Sequence, residues 1–170
     1  MRRLERQQGG EGRQEIIEFP VLKINASSYE IESTFHEFIK PVHHPTLTDF
    51  CTRLTTISQA EVDNGKSFHT VMHLFDTWIK KEVGLDKKFL FITCGDWDLK
   101  TMLPSQCKIE NIQVPHYCDM WHNIKKMIVK TLPTSCEHWQ TEVANFSQPI
   151  IMNRPAAVLN VKIDFYIRDC

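Results

Sequence analysis

The chain has 170 residues, with Lys plus Arg at 20 against Asp plus Glu at 21 and a formal net charge of -1, so bulk charge does not mark a nucleic-acid binder and any such surface must be local. That length accommodates one ordinary domain with a real core, and no run approaches the ~18 apolar residues of a membrane span. Six cysteines (Cys51, Cys94, Cys107, Cys118, Cys136, Cys170) show no CxxC pair and follow no apolar leader, which predicts free thiols in a reducing, intracellular compartment, cytoplasmic or nuclear.

Residues 1–14 mix Arg2, Arg3, Arg6 and Arg13 with Glu5, Glu11 and three glycines. A targeting peptide normally lacks the acids, so this stretch reads as a disordered lead-in. Residues 15–25 are rich in β-formers and apolar on both sides, while residues 29–39 alternate through Tyr29, Ile31 and Phe35. With a turn at 25–28 between them they predict an antiparallel hairpin. Pro20 removes a ladder donor and calls for a bulge or an unpaired side there. Pro41 and Pro45 then lead the chain out of the sheet.

Thr48 or Asp49 can cap a short helix through Phe50, Cys51 and Leu54, and Ser58 to Glu61 has capping-box spacing. Ser67 caps the clearest helix, whose stripe runs Phe68, Val71, Met72, Phe75, Ile79 and Glu82 before Gly84 ends it. That stripe reads as packing. Phe89-Leu-Phe-Ile-Thr93 then reads as a strand buried on both faces. Gly95 breaks it, and Asp96 is placed to cap a helix through Leu99, Met102 and Leu103. Asp98 thereby falls near the carboxyl end of the strand, where open α/β sheets bind ligands.

After Pro115, residues 120–129 predict a strand edge followed by a basic helix turn with Lys125, Lys126 and Lys130. These lysines read as a solvated face or as nonspecific phosphate contacts. From residue 131, Pro133, Pro149 and Pro155 interrupt a segment without sustained period. Residues 159–168 then alternate strictly, Leu159, Val161, Ile163, Phe165 and Ile167 on one face, which predicts a strand. The expected organisation is a lead-in over 1–14, a domain over 15–130 and a divergent tail over 131–170.

Glu15-Ile-Ile-Glu-Phe-Pro-Val-Leu22, Ile31-Glu-Ser-Thr-Phe35, Leu47-Thr-Asp-Phe-Cys51 with Leu54-Thr-Thr-Ile57, and Thr93-Cys-Gly-Asp-Trp-Asp-Leu99 together resemble the Eri-type 3′-to-5′ exoribonucleases of the DEDDh superfamily. The likeness covers about residues 15–130. It implies an α/β, RNase H-like fold, a mixed sheet flanked by helices, and hydrolysis of an RNA 3′ end by two Mg²⁺ ions about 3.5–4 Å apart, held by hard oxygen ligands. By the resemblance four carboxylates hold the metals and a histidine is the general base. Asp98 matches the third carboxylate, and Trp97 matches an aromatic that either stacks on the terminal base, worth ~1–3 kcal/mol, or covers the edge of the sheet.

The remaining catalytic positions have no match. Residues 1–14 hold no Asp-x-Glu strand, and no His-x4-Asp follows residue 130; His138 has Val143 at that offset. The loss of a general base alone costs ~10²- to 10⁴-fold, so a truncated, nearly inactive chain with a vestigial Asp98 is expected. An RNA- or protein-binding module without catalysis is the alternative, and a poorly folded product a third. By the resemblance the absent strand lies at the centre of the sheet, and each buried polar group left unpaired costs ~1–3 kcal/mol. Residues 159–168 are the candidate to fill that slot: Ile163-Asp-Phe-Tyr166 echoes the Asp-x-Glu pattern, with Tyr166 in place of the acid.

Two further groupings carry less. His43 with His44, and His116, Cys118 and His122, lack the paired spacing of a structural zinc site. Cys136 with His138 lacks an orienting third group.

Overall fold

A computed structural model of the chain describes residues 14–85 and 89–126, with the backbone of 157–161 and 164–166. The predicted lead-in, apart from Gln14, and the proline-interrupted segment, with His138 and Cys136, lie outside these residues. One mixed sheet organises the rest, its strands running from edge to edge as Ile31–Phe38, Glu15–Asn25, Ala157–Val161, Phe89–Thr93 and Trp121–Asn123.

Strands β1 (Glu15–Asn25) and β2 (Ile31–Phe38) form the antiparallel hairpin. The Asn25 side chain accepts from the Ser27 and Ser28 amides, an Asx turn that explains why the chain reverses here. Tyr29, read as a strand residue, instead sits in the turn with φ 61, and β2 begins two residues later. Pro20 pairs in regular register with His36, and the hairpin's irregularity falls at Lys23/Ile24.

Thr48 caps α1 (Asp49–Thr55), and Ser58 with Glu61 forms a complete capping box on α2 (Gln59–Asp63). Ser67 caps α3 (Phe68–Trp78), which continues into a π turn, Ile79–Val83, before Gly84. The extra residue in the π turn rotates the stripe by one position. Val83 is buried at its end in place of the predicted Glu82, whose carbonyl instead accepts from the Lys23 ammonium at 2.6 Å. Against the sheet, Phe75 meets Phe19, Phe35 and Phe91 with ring centroids 5.0, 5.4 and 6.5 Å apart, pairs worth ~0.5–1.5 kcal/mol each beyond their burial.

The centre of the sheet is filled from the far end of the chain. Strand β3 (Phe89–Thr93) pairs in parallel with β4 (Trp121–Asn123) on one side and with β5 (Ala157–Val161) on the other. β5 is also antiparallel to β1, Val21 to Asn25 facing Val161 to Ala157, and β6 (Asp164–Tyr166) continues along β1 with Tyr166 opposite Glu15 and Asp164 opposite Glu18. The single strand expected over 159–168 is thus two strands beginning at Ala157. The expected gap between β1 and β3 is closed by β5, while β6 pairs β1 alone, and Pro20 lies in the step between the two pairings, where its missing donor costs least.

Two polar side chains secure the start of β1. Glu15, 2 % exposed, accepts from the amides of Val42 at 2.8 Å, His43 at 3.0 Å and His44 at 2.8 Å. Gln106 on α4 (Leu103–Ile109) accepts from the Ile16 amide at 2.6 Å, beside the register shift between Ile16 and Glu18.

Removing the Glu15 carboxylate orphans three amides at once. Glu15→Ala is expected to lower the unfolding free energy by about 1–3 kcal/mol in urea titrations. The β5 pairing also predicts that amides of 89–93 exchange with deuterium as slowly as those of 21–25. Leu159→Pro, which deletes a donor in the shared strand, should speed exchange in both segments together.

Candidate functional site

The carboxyl end of β3 is shaped by a buried threonine and a glycine. The Thr93 hydroxyl donates to the Gly95 carbonyl, and Gly95 adopts φ 149, a backbone region that side-chain-bearing residues rarely enter. The chain turns there and starts a helix at Trp97. Asp96 does not cap it with its side chain as predicted. Its carbonyl accepts from the Lys100 amide at 2.9 Å, while its carboxylate reaches across the sheet edge.

That carboxylate has two donors from β4 and the turn after it. The Trp121 indole donates to Asp96 Oδ1 at 3.2 Å, and the Lys126 ammonium donates to Oδ2. Lys126, first of these partners, with Trp121 and Asn123, holds the Asp96 carboxyl down at about 2. Lys126 is therefore not merely a solvated lysine of a basic turn, although 69 % of its side chain is exposed. Lys125 donates its amide to the Asn123 side chain at 3.0 Å; Lys130 lies outside the described residues.

Asp98 is half-buried and opens a π turn, Asp98–Met102, in which the Leu103 amide donates to the Asp98 carbonyl. Pro104, next in the chain, has no N–H to offer Lys100, and this is where the helix takes the wider turn. Single π turns inside helices recur at functional sites. Leu99, Met102 and Leu103 are buried behind the turn, so packing fixes the direction in which Asp98 leaves the sheet. Trp97 keeps 47 % of its surface exposed.

The other groupings do not assemble. Cys118 is buried and burial pushes its thiol up, so it offers no thiolate to His116 or His122. Cys51 and Cys107 are also buried and Cys94 is exposed, and none of the three is disulfide-bonded.

Among the described residues, the donors at this turn do not supply the ligands of a pair of divalent ions. Two ions need several convergent oxygens, Asp98 brings one carboxylate, and Asp96 is committed to a cation and an indole. Among the described residues no group of three or more His, Cys, Asp or Glu side chains gathers in a way that could hold a metal ion.

The Exonuclease family model (RNase_T) matches residues 6–145, a wider span than the motif-bearing stretch 15–130. ERI1 exoribonuclease 3 of Homo sapiens is 54% identical over 115 residues, 66% of this chain and 34% of that protein. The 3'-5' exoribonuclease 1 of Homo sapiens is 39% identical over 113 residues, 66% of this chain and 32% of that protein. The nuclease domain of 3'hExo, a DEDDh family member bound to rAMP, superposes with a TM-score of 0.69 at 33% identity, covering 83% of this chain and 72% of that one. The chain thus spans about a third of the length of the curated relatives it matches. DEDDh exonucleases as a family use divalent metal ions.

The Asp96 interactions carry a pH signature. Its folded value, about 2, lies below the 3.8 of an unperturbed aspartate, so the unfolded chain takes up this proton first on acidification. The stabilising contribution is complete above about pH 4 and is lost as pH falls through about 2. Asp96→Asn should therefore flatten the acid limb of stability in that window, read as urea midpoints against pH.

Proposed function

The chain belongs to the Exonuclease (RNase_T) family and has the fold of a DEDDh nuclease domain, and from that premise we propose that it takes the 3′ end of single-stranded RNA as ligand and, by itself, binds that end far better than it hydrolyses it. The observation that carries this is the pairing of a half-exposed aromatic, Trp97, with the adjacent carboxylate Asp98 at the carboxyl end of β3. A half-exposed aromatic at that place suits stacking on a base, and stacking tolerates sequence.

Hydrolysis asks more of the site. Mg²⁺ is the divalent ion that the resemblance implies for such a centre, and it keeps its hydration unless several hard oxygens replace it. With Asp98 as the lone match to the family's acidic and histidine positions, this chain has no assigned residue to share the metal or to take a proton from water. The proposed assignment is therefore Trp97 for nucleic-acid contact and Asp98 as a vestigial catalytic and metal position. The free thiols suit a reducing cytoplasmic or nuclear setting.

A 3′-labelled single-stranded oligoribonucleotide tests this. Expected are saturable binding that needs no added metal, weakening by roughly 5- to 150-fold on Trp97→Ala, and trimming in Mg²⁺ at the level of an Asp98→Ala control. Magnesium-dependent trimming that disappears in Asp98→Ala would overturn the low-activity reading, and a wild-type chain that does not bind would overturn the RNA assignment.

A further inference from the structure

We propose that Asp96 sets nucleic-acid affinity at this end of the sheet by holding Lys126 as a neutralised cation beside the stacking face of Trp97. The inference rests on the RNA-binding reading above and adds a residue that opposes it. Asp96 and Trp97 are consecutive, their Cα atoms about 3.8 Å apart, so the Lys126–Asp96 ion pair is anchored one residue along the chain from the aromatic.

A strand stacked on Trp97 brings its phosphates toward that pair. An ammonium with 69 % of its side chain exposed would otherwise be a ready phosphate contact, but here its charge is matched by Asp96. The Trp121 indole on Oδ1 orients the carboxylate so that Oδ2 faces the lysine. Trp121 is itself fixed by the parallel pairing of β4 with β3. The pair is consequently a built feature of the sheet edge, and the charge it withholds is one that a phosphodiester would otherwise meet.

The test uses the full chain and fluorescence anisotropy of a labelled single-stranded oligoribonucleotide over a salt series. Asp96→Asn removes the opposing charge and keeps a side-chain oxygen for the Trp121 indole. It should tighten binding roughly two- to fivefold and steepen the slope of log K against log salt by about 0.7, one phosphate contact on a single strand. Adding Lys126→Gln should cancel both gains.

If Asp96→Asn does not fold, Lys126→Gln alone still decides. On this proposal it weakens binding, through the uncovered Asp96 charge, and leaves the slope unchanged. A slope shallower by about 0.7 would mean that Lys126 already contacts phosphate and would overturn the proposal. So would a folded Asp96→Asn chain with wild-type affinity and slope. Failure of the parent reading looks different, because then neither the wild type nor Asp96→Asn binds at low salt, and both proposals fall together.

Discussion

The two inner rows of peptide groups in this sheet, one on β1 and one on β3, are matched by a five-residue strand from the opposite end of the chain. β5 meets β1 antiparallel and β3 parallel, so its backbone is shared between a hairpin that is local in sequence and a strand that begins 51 residues beyond the hairpin's end. Without it, hairpin and β3 would each present an unpaired edge toward the core, and a handful of orphaned polar groups is enough to offset the whole stability of an ordinary domain. The helix α3 can pack across both halves because β5 holds them in one surface. The ring cluster of Phe19, Phe35, Phe75 and Phe91 draws on β1, β2, α3 and β3, and it exists only where those strands are neighbours.

Local signals in the sequence were read correctly where the physics is local. Thr48, Ser58 and Ser67 cap the helices they were expected to cap, because a hydroxyl at the right offset meets an amide in the same turn. The apolar alternation from Leu159 also pointed to a strand, and the need to fill a central slot pointed to its place. What escaped detection depended on distant partners. Asp96 looks like a helix cap until β4 lies beside β3 and brings Trp121 and Lys126 within reach. Val83 replaces Glu82 on the α3 stripe because of a π turn that no spacing rule anticipates. Tyr29 has a strand-like side chain in a position where the Asx turn demands a left-handed backbone.

The candidate site was half legible for the same reason. Trp97 and Asp98 stand in a motif that can be recognised as a string, and the strand-turn-helix context around them follows from Gly95 and the apolar run before it. The electrostatics of the site cannot be recognised in that way. The sequence shows an acidic pair, Asp96 read as a helix cap and Asp98 as a metal position, and a basic cluster at 125–130 read as a solvated face or as nonspecific phosphate contacts. The structure couples one member of each. Asp96 spends its charge on Lys126, which leaves this end of the sheet less acidic than a metal centre and less basic than a nucleic-acid groove.

Order at the site also depends on the tail through a second route. The strand that fills the central slot runs on as β6 along the first residues of β1. Those same residues carry Glu15, which gathers the amides of the 42–44 loop, and Ile16, whose amide is taken by Gln106. Gln106 belongs to α4, the helix that Asp98 begins through its π turn. Tail, β1, α4 and Asp98 are therefore linked by consecutive backbone and buried side-chain contacts, and a disturbance at Asp164 to Tyr166 has a short path to the position of the carboxylate. In a chain that relies on β5 for the middle of its sheet and on β6 for the first residues of β1, the geometry of the ligand-facing turn is only as firm as those two pairings.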